Sequence, residues 1–287
     1  MAFQLAELEG CLPLVGAADQ EAVHGARLAL RRLRSVLSCY ESVLPDVPEA
    51  TGRDVRWLAR SLGEARDAYV LSQRLTLWLD ASEAWLSPDA LHDAVNKLLA
   101  SSNAMATRVG TGRRWQGIVK ATRQALLPAT AALAPREIDN HPSLLEVAEL
   151  LQPRWETVQK SLEAAQRSLE TDTTQADEAE RNDVLHDARK DIKVLRYSVE
   201  AVAHVLGAGA TAIIQPSMVL QRLLGEQHDS VTGQTWIKSL AEMPGVESVD
   251  VEALQSMEQR RLVETETDLR AALLSSPVPE PRRMLLG

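Results

Sequence analysis

"VHGARLALRRLRS", Val23 to Ser35, sets one histidine and four arginines among small and aliphatic residues. At about 100° per residue, His24, Arg27, Arg31 and Arg34 fall within about 80° of one another on a helix. Val23, Ala26, Leu30, Leu33 and Leu37 form an apolar stripe directly beside them. Such a helix buries the apolar stripe in a core and keeps the cations at the core's edge, where they face a cleft between helices. Like charges at i,i+3 and i,i+4 destabilise one another by about 0.2–0.5 kcal/mol per pair. An anion in the cleft relieves that repulsion.

The pattern returns in "LHDARKDIKVLRY", Leu185 to Tyr197. His24, Ala26, Arg27, Leu33 and Arg34 match His186, Ala188, Arg189, Leu195 and Arg196 at a constant offset of 162 residues, with Arg31 facing Lys193 and Leu30 facing Ile192. At the same offset, "SLGEARDAYV" from Ser61 falls on "LLGEQHDSVT" from Leu223, aligning Leu62, Gly63, Glu64 and Asp67 with Leu224, Gly225, Glu226 and Asp229. A third, looser pair joins "RRWQGIVKATRQALL" from Arg113 to "RRLVETETDLRAALL" from Arg260. Ordered matches of this kind indicate an internal duplication. A solvated face of arginines lying over apolar neighbours is the ordinary explanation of one such helix. It gives no reason to keep histidine, arginine, a basic residue and arginine at the same four places twice.

Composition limits the fold. The chain has 287 residues, one phenylalanine, three tyrosines and six tryptophans, and it is rich in residues that favour helices over strands. The expected class is all-α, as two pseudo-symmetric four-helix bundles, one over residues 1–140 and one over 141–287. Proline and glycine place helices over about 55–79, near Leu91, over 113–133, 144–169, 183–206, 213–240 and 251–274. The stretch "APREIDNHP" is the expected midpoint linker, followed by a Ser143–Glu146 capping box. "TDTTQADEAE" reads as loop or frayed helix start, and the proline-rich tail "SSPVPEPRRMLLG" as extended or disordered. Two cysteines cannot build a disulfide framework, and the N-terminus lacks a signal-peptide pattern, so a reducing, cytoplasmic setting is expected. No apolar run reaches membrane-span length. The net charge of -9 argues against a surface that coats nucleic acid, while leaving room for a local basic groove.

The series His-x-x-Arg-x-x-x-(Arg/Lys)-x-x-Arg followed by Leu-Gly-x-x-(Arg/His)-Asp, twice in a helical chain, resembles the CHAD family, the conserved histidine α-helical domain. The resemblance extends from about Glu21 to Leu274. It implies two four-helix bundles around a central basic pore that binds inorganic polyphosphate, together forming one CHAD domain. Carried onto this chain, the implied binding residues are His24, Arg27, Arg31 and Arg34, then His186, Arg189, Lys193 and Arg196. Arg66 and His228, at equivalent places before the repeated aspartates, are added to the same site. Some relatives join this domain to a triphosphate tunnel domain or occur on polyphosphate granules. At this length the chain is expected to stand alone. "TETD" in the last helix and the acidic balance depart from what a polyanion binder suggests, and acidic outer faces around a basic pore reconcile the two.

Chemistry points the same way. Guanidinium forks grip phosphate oxygens bidentately, and counterion release adds to affinity. The sequence carries no HExxH, P-loop or zinc-type Cys/His spacing, so binding is expected without catalytic residues, metal or cofactor. Asp67 and Asp229 are expected to orient a neighbouring arginine or histidine. A histidine-dependent phosphotransfer or phosphate-hydrolysing enzyme is the second reading. A nucleic-acid binder is the third, set back by the lack of aromatic residues interleaved with the basic stripe.

Overall fold

The computed structural model describes residues 2–43, 47–81, 88–132, 144–170, 175–242, 246–275 and 277–286. Among them there are helices, turns and short connections and no strand. The chain divides into two compact units, Met1–His141 with Pro244–Glu247, and Pro142–Met243 with Ser248–Gly287. The expected midpoint linker and Ser143 lie outside the described residues.

The first unit contains α1 (Ala2–Gly16), α2 (Gln20–Cys39), α3 (Glu49–Ala81), α4 (Pro88–Gly110) and α5 (Arg113–Ala132). Helix α1 continues through Pro13. Asp19 then stops the chain and restarts it, its carboxylate accepting a 2.7 Å hydrogen bond from the amide of Ala22 at the N-cap of α2. Val23, Ala26, Leu30 and Leu33 of α2 are fully buried, against Leu58, Leu62 and Ala65 of α3 and Leu8 and Val15 of α1. The apolar stripe read from the sequence is thus the inner face of the unit, with Leu37 half-buried at its end. Trp115 of α5 is wholly buried in the same core.

The second unit contains α6 (Leu144–Glu170), α7 (Gln175–Ala201), α8 (Ala203–Leu206), α9 (Ala208–Leu240), α10 (Ser248–Ser275) and α11 (Pro281–Leu286). Leu185, Ala188, Ile192, Leu195 and Val199 of α7 are all fully buried. Helix α7 starts at Gln175, so the polar stretch before Asp183 is already helical there. At its far end, the helix expected to reach Leu206 breaks at Val202, and Gly207, with φ 54°, turns the chain into α9.

Packing within each unit follows one order. Helix α2 lies against α1 and α3 and α3 against α4, as α7 lies against α6 and α9 and α9 against α10. Helix α5 rests on α1 and α3, a place taken in the second unit by α11 on α6 and α9. This corrects two sequence expectations. The Arg113 and Arg260 stretches are not equivalent, because α10 holds the position of α4 and not of α5. The tail is not extended throughout: Pro281 opens α11, a first helical position where its missing N–H costs nothing. Val278 is buried ahead of it, and its carbonyl accepts a 3.0 Å hydrogen bond from the indole N–H of Trp155. Each unit is also more than a four-helix bundle, since α5 and α11 add a fifth packing element.

Backbone contact between α1 and α4 makes Gly110 intolerant of a side chain: a Cβ there would overlap the amide nitrogen of Gly16. Gly117 in α5 faces open space. Gly110→Ala is therefore expected to lower the thermal midpoint, whereas Gly117→Ala raises stability by about 0.5–1 kcal/mol through the helix preference of alanine. Thermal unfolding followed by circular dichroism checks both signs.

Candidate functional site

On α2 the core stripe holds the basic stripe at the lip of the first unit. Arg27 is the inner member, its side chain 16% exposed, and its Nη1 donates a 3.1 Å hydrogen bond to Oδ1 of Asp67 on α3. Gly63, one turn before Asp67, lies against the same guanidinium: a Cβ at Gly63 would be 3.9 Å from Nη2 of Arg27, an ordinary van der Waals distance. The second unit repeats this arrangement. Nη2 of Arg189 lies 3.8 Å from Oδ1 of Asp229, and a Cβ at Gly225 would sit 3.6 Å from the same Nη2. The Leu-Gly-x-x-x-Asp series therefore has a physical reading: leucine fills the core, glycine lies against the arginine of the facing helix, and aspartate pairs with that arginine.

Histidines stand at the start of both stripes. His24 is exposed, and its pKa is held below the ordinary value first by desolvation and then by Arg66, with Arg31 and Arg27 adding to the effect against Glu21. Arg66 of α3 is fixed beside it by a 3.3 Å hydrogen bond to the carbonyl of Gln20 and by stacking 5.0 Å from the Tyr69 ring centroid. His186 is likewise lowered by desolvation first, then by Lys190 and Arg189, with Lys193 also lowering it and Asp187 opposing. Its ring packs 4.7 Å from that of His228, the counterpart of Arg66, and its Nδ1 is buried without a hydrogen-bond partner. Both histidines are thereby biased towards the neutral form.

Beyond Arg27 the stripes diverge. Arg34 is exposed, and its pKa is lowered by desolvation, then by the charges of Arg56, Arg31 and Arg60. Arg56 and Arg60 are site residues that the sequence reading missed. Their signal was present as Arg56, Arg60, Gly63 and Asp67, which recur at helical spacing along one face of α3. In the second unit, Arg196 is 11% exposed and donates to Oε1 of Glu200 at 2.7 Å and to Oε1 of Gln221 at 3.0 Å. It also stacks 4.5 Å from the Tyr197 ring centroid. Lys193 is half-buried and adds to the charge around His186.

So His24, Arg27, Arg31, Arg34 and Arg66 come together on the α2/α3 face, and His186, Arg189, Lys193 and His228 on the α7/α9 face. Arg196 is turned towards partners of its own unit. Three arginines of α5 and α10 are engaged away from these stripes. Arg114 stacks on Trp57 at 3.8 Å, Arg123 pairs with Glu9 at 2.7 Å, and Arg270 bonds the carbonyl of Leu169 at 3.0 Å. Among the described residues, no three histidine, cysteine, aspartate or glutamate side chains are grouped to hold a metal.

A family model described as the CHAD domain matches residues 1–238. The chain belongs to the CHAD domain family. Its similarity to the uncharacterized protein Rv2226 of Mycobacterium tuberculosis (strain ATCC 25618 / H37Rv) is 30% identity over 215 residues, covering 75% of this chain and 39% of that protein. The uncharacterized protein MT2285 of strain CDC 1551 / Oshkosh matches to the same extent. This chain thus matches less than half the length of those relatives. Among solved structures, the CHAD domain from the plant Ricinus communis superposes with TM-score 0.63 at 21% identity, covering 96% of this chain and 91% of that one. PptA from Streptomyces chartreusis gives TM-score 0.66 at 16% identity, with 95% of each chain covered. At these identities the likeness is one of fold.

The causes of the histidine shifts predict their response. Arg66→Gln removes the largest charge acting on His24 and is expected to raise its pKa, and Lys190→Gln is expected to do the same for His186. Proton NMR titration of the two imidazoles reads both. An unchanged His24 titration in the Arg66 variant would separate that histidine from the α3 cations.

Proposed function

We propose that this CHAD domain binds inorganic polyphosphate, without turning it over, through the basic faces of α2/α3 and α7/α9. One observation carries the reading: the same series of cations stands twice on a half-buried helix edge, with Arg27 and Arg189 held in matching aspartate pairs beside matching glycines. Cations at i,i+3 and i,i+4 recur about every 5–6 Å along a helix, so a polymer with about one negative charge per unit can satisfy several at once. Fixed guanidinium groups suit such a ligand because less side-chain freedom is lost per bond formed. The family resemblance supports polyphosphate over other polyanions and supports a central pore lined by both faces. A cytoplasmic setting agrees with Cys11 and Cys39 both being free thiols. Association with polyphosphate granules follows from the same ligand. No helix among the described residues is long and apolar enough to cross a membrane.

Titration of the purified protein with polyphosphate, pyrophosphate, ATP and single-stranded RNA at fixed salt tests the reading. Arg27→Ala and Arg189→Ala are each expected to weaken polyphosphate binding about tenfold. The affinity of the wild type should fall log-linearly with salt. One long chain bound per protein, weakened by either substitution, supports a shared pore. Two chains bound independently overturn the pore, preference for RNA displaces polyphosphate, and turnover of any of these compounds restores the enzyme reading.

The histidines give the pH dependence a sign. Burial and neighbouring cations lower both pKa values in the free protein, and a bound polyanion raises them. Binding then takes up protons, and affinity increases as pH falls from the value in the complex to the lower value in the free protein. Affinity measured on both sides of about pH 6.5 should show this slope in the wild type and lose it in His24→Gln with His186→Gln. Equal slopes in the two proteins would make these histidines packing residues.

A further inference from the structure

The two basic faces differ in how far the protein neutralises its own cations, and the difference is concentrated at one end of each stripe. Contacts fix the register first. Helices α2 and α3 run antiparallel, and Arg27 lies against Gly63 and Asp67. Each turn forward along α2 therefore meets a turn backward along α3, which sets Arg31 and Arg34 opposite Arg60 and Arg56. In the second unit Arg189 against Gly225 and Arg196 against Gln221 establish the same register for α7 on α9.

At the internal offset of 162 residues, Arg34 corresponds to Arg196, Ser38 to Glu200, Ala59 to Gln221, and Arg56 to Met218. Arg196 is held by Glu200 and Gln221. Arg222, the counterpart of Arg60, is paired with Glu226 at 3.0 Å, and Lys190 with Asp187 at 2.6 Å. The first unit has a serine and an alanine where those two Arg196 partners stand, and an additional arginine where the second has methionine. Among the described residues, no carboxylate lies within ion-pair distance of Arg31, Arg34, Arg56 or Arg60.

From this juxtaposition we infer that Arg31, Arg34, Arg56 and Arg60 form a phosphate-binding cluster of the first unit, which supplies the dominant grip on a linear phosphate polymer. Arg196, at the corresponding place, serves the stability of the second unit. The inference rests on the polyphosphate reading and divides its work unequally between the faces. Four guanidinium groups with no carboxylate at ion-pair distance among the described residues favour a ligand segment carrying several adjacent charges, such as three or more linked phosphates, over a single phosphate ion. Binding there exchanges mutual repulsion for bidentate contacts. On the second face, a ligand must first displace the protein's own carboxylates.

Exchange of the neutralising residues between the units tests this directly, with tripolyphosphate and long-chain polyphosphate as probes in calorimetric titrations over a salt series. Ser38→Glu with Ala59→Gln, which copies the Arg196 environment around Arg34, is expected to weaken binding of both probes about tenfold or more. Arg56→Met should also weaken it and reduce the slope of log affinity against log salt by about one. The reverse exchange, Glu200→Ser with Gln221→Ala, frees Arg196 and is expected to tighten binding. A helical circular dichroism spectrum of normal intensity qualifies each variant, and Arg60→Gln provides an independent loss at the cluster if one of them fails to fold. If the Ser38/Ala59 and Arg56 variants bind as the wild type does while Arg27→Ala still binds more weakly, the cluster is overturned and the polyphosphate reading stands. A wild type that binds neither probe at low salt overturns both.

Discussion

The pairing of an arginine across two antiparallel helices, at the edge of a buried core, recurs in both units. Arg27 lies against Gly63 and pairs with Asp67; Arg189, Gly225 and Asp229 repeat the arrangement. A guanidinium so near a core must be paired, since an isolated buried charge carries a large desolvation cost. One carboxylate on the exposed side suffices, because the arginine retains donors directed outward. The pair bridges α2 and α3 in the register that their buried apolar residues set, and leaves a cation facing the groove. Every other basic side chain of the stripe takes its position from that register.

Local periodicity is why the helices and the two basic stripes were legible in the sequence. The residues that decide them lie within three turns of one another, and their apolar neighbours mark the buried side without tertiary information. The glycine-to-aspartate series was visible as a repeat, but its purpose required the opposing helix. Arg56 went unread for a related reason: the duplicate has Met218 in its place, so repetition does not mark it, whereas Arg60 does recur as Arg222, just ahead of the Leu-Gly repeat. Glu200 stood in plain view four residues after Arg196, a spacing that forms ion pairs on a helix. The neutralisation of that arginine was therefore open to a sequence reading in a way that Gln221 was not.

Long-range packing accounts for the remaining differences. The tail reads as extended because prolines crowd it, yet Pro281 is compatible with a helix start, and burial of Val278 with the Trp155 hydrogen bond ties the segment to α6. Neither contact leaves a pattern in the tail itself. Likewise, the Arg-Arg and Ala-Leu-Leu matches of α5 and α10 are common in any amphipathic helix, and only the order of packing separates their roles. Acidic residues that made the chain look ill-suited to anions fall into several groups. Some neutralise cations of the α7/α9 face, as Glu200 and Glu226 do, some are buried, as Glu266 is beside Arg181, and others, such as Glu264 and Asp268 of α10, lie exposed.

The adjacency of the apolar and basic stripes on α2 limits how the helix can vary. Exchange of one residue for another of like character is tolerated, as Leu30 against Ile192 and Arg31 against Lys193 illustrate. A single inserted or deleted residue between His24 and Arg34 is different, because it rotates everything beyond it by about 100°. Leucines would then swing from the core into the groove, and arginines from the groove into the core. The stretch can drift in spelling but not in length, and the ten-residue interval from the histidine to the last arginine, kept in both copies, is a ruler set by helical pitch.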